Sequence, residues 1–144
     1  MKEEIKVIDI ISNELRKKAK LHLVESINDT CILKLFLEDN DSFISSENDD
    51  FFSCFGDLRK QVPGIKFLCK GAKVNVFPSR MARQMSRGRV AYECVMGRSA
   101  TTSDIVHIFD FDDRDIANSP EEQIEFYNKW LVSFRTKKGH ASNL

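Results

Sequence analysis

Between residues 65 and 109 the chain alternates short apolar runs with turn chemistry, and this pattern restricts its fold more than any other feature. Residues 65–69 and 74–77 read as strands divided by a Lys-Gly-Ala-Lys turn. Residues 89–96 read as a further strand with Val90, Tyr92, Cys94 and Met96 on one face, and residues 105–109 as the last. Strands this short, joined this briefly, pair antiparallel, because a parallel crossover needs a dozen or more residues between its strands. Such a sheet buries a face under helices. The clearest helix signal is Ser119-Pro120-Glu121-Glu122, which supplies an N-cap serine, a proline at the first helical position and a glutamate at the third. Behind it Ile124, Tyr127, Trp130, Leu131 and Phe134 form a stripe suited to docking.

Other segments complete the outline. Ile8, Ile11, Leu15 and Ala19 recur at steps of three and four, which predicts an amphipathic helix over about residues 3–18. Residues 21–25 and 31–38 read as a hairpin around Asn28-Asp29, and the polar stretch 38–48 as a loop. Asp49 or Asp50 then caps a helix running to Gln61, with Phe51, Phe55, Leu58 and Val62 on one side and Pro63-Gly64 as its stop. Pro78-Ser79 opens a short helical turn that ends at Gly88. The expected fold is α+β, a mainly antiparallel sheet with N-terminal, central and C-terminal helices packed on it. One domain is expected over 1–135, with a disordered tail over 136–144. A chain of 144 residues with eleven Phe and one Trp holds enough apolar surface for a single core without metal or disulfide support.

The first thirty residues are charged throughout and contain neither the apolar core of a signal peptide nor a membrane-length apolar run. The expectation is a cytoplasmic protein without membrane contact or cofactor. In that setting Cys31, Cys54, Cys69 and Cys94, which form no CxxC pair, read as reduced, buried thiols.

Net charge is zero, yet it is partitioned along the chain. Residues 38–57 hold seven acidic side chains and no basic one. Residues 66–98 hold eight basic side chains, opposed only by Glu93, and residues 104–125 hold eight acidic ones against Arg114. Blocks of one sign steer and orient charged partners, or else lie side by side in the fold and neutralise one another. In the basic block Arg80, Arg83 and Arg87 fall within about 60° on a helix and would share one ledge, with Lys70 and Lys73 nearby in sequence. Guanidinium forks suit carboxylates or phosphates, so the ledge points to an acidic protein surface or an anion. Asp110, Asp112, Asp113 and Asp115 form the matching acidic candidate. Their sequence lacks the central glycine and closing glutamate of a calcium loop and reads as a solvated turn.

Two further readings stay open. Nucleic-acid binding would use the basic block, although the chain as a whole is not basic and carries no recognisable signature. A small hydrolase or transferase would use Cys69 as nucleophile and His107 as base beside the arginines. No local motif supports that pairing, and His107 in an apolar run also reads as a structural histidine.

The run Cys69-Lys70-Gly71-Ala72-Lys73-Val74-Asn75-Val76-Phe77-Pro78-Ser79, with Met81, Gln84-Met85, Gly88, Ala91-Tyr92 and Gly97, resembles a group of small single-domain bacterial proteins. That group includes immunity proteins encoded beside secreted polymorphic toxins. The similarity continues through residues 104–110 and the helix bearing Glu122-Gln123, Phe126-Tyr127 and Trp130, and so covers about the last two-thirds of the chain. Where the group often has glycine after Pro-Ser, this chain has Arg80. The resemblance brings no catalytic residues. It implies a protein that binds and blocks a cognate toxin, with the arginine ledge or the carboxylates as the contact surface.

Overall fold

The computed structural model describes residues 2–142, with side chains described for 2–135. Its first elements are two long strands, β1 (Lys2–Ser12) and β2 (Leu15–Glu25), paired antiparallel from end to end. The helix expected over residues 3–18 is therefore absent, and the reason is legible in the side chains. Ile5, Val7, Ile8, Ile10 and Ile11 are β-branched, which favours a pleated backbone. Ile10 lies off the proposed helical stripe and is fully buried, whereas Leu15, on the stripe, is 70% exposed at the hairpin end. The reversal is a two-residue turn, Asn13-Glu14, with both residues left-handed at φ 52° and 66°. Such primed geometry matches the twist of the flanking strands.

β3 (Cys31–Phe36) follows β2, as expected. Residues 38–48, read as a loop, end instead in an edge strand, β4 (Ile44–Asn48). Of its inward side chains Ile44 packs on the core, while Ser46 and Asn48 meet the side of the next helix: Ser46 Oγ donates to the Cys54 carbonyl at 2.6 Å, and Asn48 Nδ2 to Asp57 at 2.8 Å. That helix is α1 (Phe51–Gln61), capped by Asp50, which accepts from the Ser53 N–H. A short β5 (Lys66–Phe67) pairs with the far edge of β1 and completes a five-stranded antiparallel sheet in the order β4-β3-β2-β1-β5.

The chain then passes through a 3₁₀ turn at Lys70–Ala72 into a second sheet of β6 (Val76–Phe77), β7 (Val90–Glu93) and β8 (Ile105–His107), in that order. All three are shorter than the sequence pattern suggests. Between β6 and β7 lies α2 (Arg80–Ser86), capped by Ser79. The last element is α3 (Pro120–Ser142). Among the described residues this makes eight strands and three α-helices, and the α+β class holds with one helix fewer at the N-terminal end.

Ile8, Ile10, Leu21, Leu23, Leu33 and Leu35 line the inner face of the large sheet, and Phe51, Phe55 and Leu58 of α1 close on them. α3 docks through an aromatic ladder in which Phe77 stacks on Tyr127, followed by Trp130 and Phe134. Trp130 Nε1 donates to the Val95 and Arg98 carbonyls. Ile124, assigned to the docking stripe, is half exposed, and its neighbour Gln123 is the buried residue. The expected tail over 136–144 falls on residues whose side chains lie outside the described part.

Candidate partner-binding surface

The large sheet presents its second face to solvent. Helices pack on the inner face or on the small sheet. Because strand side chains alternate, the outer face carries Ile5 and Val7 from β1, Arg16, Lys18, Lys20 and His22 from β2, Lys34 and Phe36 from β3, with Phe43 beside them just before β4. Ile5, Val7 and Phe43 are 59%, 61% and 48% exposed. His22, Phe36 and Phe43 form a row with ring centroids 4.6 and 5.4 Å apart, and Lys34 lies over the Phe43 ring at 5.0 Å. Arg16 and Lys18 are held by Asp9, at 2.7 and 2.5 Å, and these two cations keep the Asp9 carboxyl below its ordinary range. Lys20 and Lys34 have no ion-pair partner among the described residues. The helical reading of residues 3–18 hid this face. The alternation of Lys18, Lys20 and His22 with Ala19, Leu21 and Leu23 was the signal that would have found it.

Most of the basic block is paired with carboxylates, only some of which belong to the acidic blocks. Arg83 Nη1 donates to Asp50 Oδ2 at 2.7 Å and to Ser53 Oγ at 2.8 Å, so it braces the cap of α1. Arg87 lies beyond the end of α2 with a left-handed φ of 57° and reaches Asp29 at 3.0 Å. The helical ledge is therefore broken, although Arg80, Arg83 and Arg87 all line one cleft of about 730 Å³ with Asp49 and Tyr127. Arg80 is exposed and has no ion pair among the described residues. Arg89 bridges Glu4 and Glu25 over the Phe51 ring, and Arg98 pairs with Asp104.

Lys70, Lys73 and Asp112, expected at a partner surface, form an internal cluster instead. Lys73 Nζ lies 2.8 Å and Lys70 Nζ 3.2 Å from Asp112 Oδ2, and both approach Glu93 at 3.4 and 3.6 Å. Lys73 and Asp112 are 4% and 5% exposed. Burial alone would raise the Asp112 carboxyl, but the Lys73 ammonium, the Arg114 N–H and Lys70 outweigh it and hold it well below the usual carboxylate range. Asp110, Asp113 and Asp115 stay exposed without ion pairs among the described residues. Their backbone is fixed, since the Asp110 and Asp115 carbonyls accept from the Lys70 and Val74 N–H groups.

Cys69 and His107 are not brought together. His107 is exposed and lines clefts beside Arg89 that do not include Cys69. Cys69 is fully buried, and burial pushes its thiol up to about 12, as it does for Cys54, with Cys94 at about 11 and Cys31 also raised. A thiol held that high supplies almost no thiolate at neutral pH. All four cysteines are free and buried. An aromatic disulfide reagent should therefore label them at least about 100-fold more slowly in native protein than in denaturant, where four thiols per chain react. Rapid native labelling of Cys69 would contradict this burial.

Among the described residues no group of three or more His, Cys, Asp or Glu side chains is placed to hold a metal ion. Among the described residues no helix is long and apolar enough to cross a membrane. No protein-family model matches the chain, and no curated protein matches it.

Proposed function

We propose that the protein acts by binding, as an immunity protein that neutralises a cognate bacterial toxin through direct contact. The observation that carries this reading is the open face of the large sheet. It has apolar side chains at Ile5 and Val7 on β1 and at Phe43 beside β4, with Lys20 and Lys34 between them on β2 and β3, so one exposed face offers both apolar and cationic contacts to a partner. The exposed carboxylates of Asp110, Asp113 and Asp115 and the unpaired Arg80 offer additional contacts. Lys70, Lys73, Arg83, Arg87 and Asp112 act behind these surfaces by fixing the elements that carry them.

The test is binding to the toxin domain encoded beside the gene, or to a partner captured from host lysate and identified. Lys20→Glu with Lys34→Glu should slow association about tenfold or more at low salt, with a smaller difference at high salt and an unchanged melting temperature. Association unaffected at every salt concentration would sink the sheet-face reading. Reversing Asp110, Asp113 and Asp115 to lysine tests the acidic contact in the same assay. The aromatic row of His22, Phe36 and Phe43 beside Lys34 favours one other reading, single-stranded nucleic acid stacked on the sheet. Salt-dependent binding of a fluorescent oligonucleotide, lost on Phe36→Ala, would select it.

A further inference from the structure

We propose that a second copy of this chain pairs edge to edge with the N-terminal half of β1, joining two five-stranded sheets into one continuous sheet. The inference begins at the Asn13-Glu14 turn. A two-residue reversal makes Ser12 and Leu15 a hydrogen-bonded pair, so with the observed register the even-numbered residues of β1 exchange hydrogen bonds with β2. The odd-numbered ones direct their N–H and C=O groups to the other side. Asp9 confirms the parity, since its carbonyl accepts from Leu68 there at 3.0 Å. β5 covers β1 only at Ile10 and Ile11. The backbone groups of Glu3, Ile5 and Val7 are thus left on an open edge, with no hydrogen-bond partner on that side among the described residues.

An open edge accepts many strands, but the side chains select one. Antiparallel pairing of two β1 edges needs odd residues opposite odd residues, which leaves few two-fold registers. Centring on Glu4 sets two carboxylates face to face, and centring on Lys6 sets two ammonium groups face to face. Centring on Val7 requires the Asp9 backbone, which Leu68 already occupies. Centring on Ile5 places each Glu4 opposite the Lys6 of the second copy. These fall at non-hydrogen-bonded positions, where facing side chains approach most closely. It also sets the exposed Ile5 against its own copy and Val7 against Glu3 on the outer face. Lys6 has no ion pair among the described residues, and Glu4 engages Arg89 through Oε1, leaving Oε2 for the incoming lysine. Clefts of about 620 and 400 Å³ beside Glu4 and Lys6 give that side chain room.

Sedimentation equilibrium of the full chain should give a concentration-dependent mass rising to twice that of the monomer. Lys6→Glu should weaken association about tenfold or more, because two attractive cross-strand pairs become repulsive. Adding Glu4→Lys to that variant restores opposite charges in the same register and should restore the dimer. Ile5→Pro removes only an outward N–H and should give a monomer with its β-sheet circular dichroism intact. In amide exchange, the Ile5 and Val7 amides should gain protection as concentration rises, while Lys6, bonded to β2, should not change. A monomer up to about millimolar concentration, three decades above a micromolar dimer, overturns the proposal. So does a dimer indifferent to both Lys6→Glu and Ile5→Pro. Neither outcome touches toxin binding, which the sheet-face variants read separately.

Discussion

Gln123→Leu should destabilise the protein by about 3 to 5 kcal/mol, more than any other single change in α3 outside Trp130. Gln123 is 1% exposed. Its Nε2 donates to the Gly71 and Lys73 carbonyls at 2.9 and 2.8 Å, with Val76 O at 3.4 Å, and its Oε1 accepts from Arg59 Nη2. Burial lowers the Arg59 guanidinium to about 10, which still leaves it charged at neutral pH, and it has no carboxylate partner among the described residues. A leucine fills similar volume but strands this cation and two buried carbonyls together. Urea denaturation measures the loss. The neighbouring Ile124→Ala, at a half-exposed site, should cost about 1 kcal/mol or less. Equal effects from the two would show that the hydrogen-bonded amide does not hold α3 in place.

Asp112→Asn should cost about 3 kcal/mol at neutral pH, because it leaves the buried Lys73 and the half-buried Lys70 sharing only Glu93. The effect carries a pH signature. A carboxyl whose pKa is depressed by folding contributes stability that is complete above its unfolded value, near 4, and disappears as pH falls through the lower folded value. Wild-type stability should therefore decline on acidification below about pH 4, and Asp112→Asn should flatten that part of the curve. Lys73 supplies the opposite limb. Burial would lower it, but Asp112 and Glu93 outweigh burial and raise it, so its contribution is complete below the ordinary lysine value and is lost as pH rises through the raised one. Chemical denaturation from pH 2 to pH 11 measures both limbs, and identical slopes for the two proteins would exclude Asp112 as their source.

Local chemistry was easiest to read from sequence. Asp50, Ser79 and Ser119-Pro120 each mark the start of a helix the structure contains, because a cap is satisfied within one turn. Charge pairing was not legible, since Arg83 meets Asp50 and Lys73 meets Asp112 across 33 and 39 residues. Residues 3–18 failed for a different reason. Ile8, Ile11, Leu15 and Ala19 satisfy a helical period by coincidence, while β-branched density and the pairing of two alternating segments decide the outcome. The open sheet face and the free β1 edge followed from that one error and were lost with it.

The β1–β2 hairpin leaves the ribosome well before α1 is complete. Its turn is local and its strands adjacent, so it can close within microseconds of emerging. Yet Ile8, Ile10, Leu21 and Leu23 find their cover only when Phe51, Phe55 and Leu58 arrive some thirty residues later. During that interval the nascent chain displays a wet apolar face on one side and an unpaired edge on the other. Synthesis, rather than the finished fold, is where this protein is most exposed to chaperones and to its own aggregation.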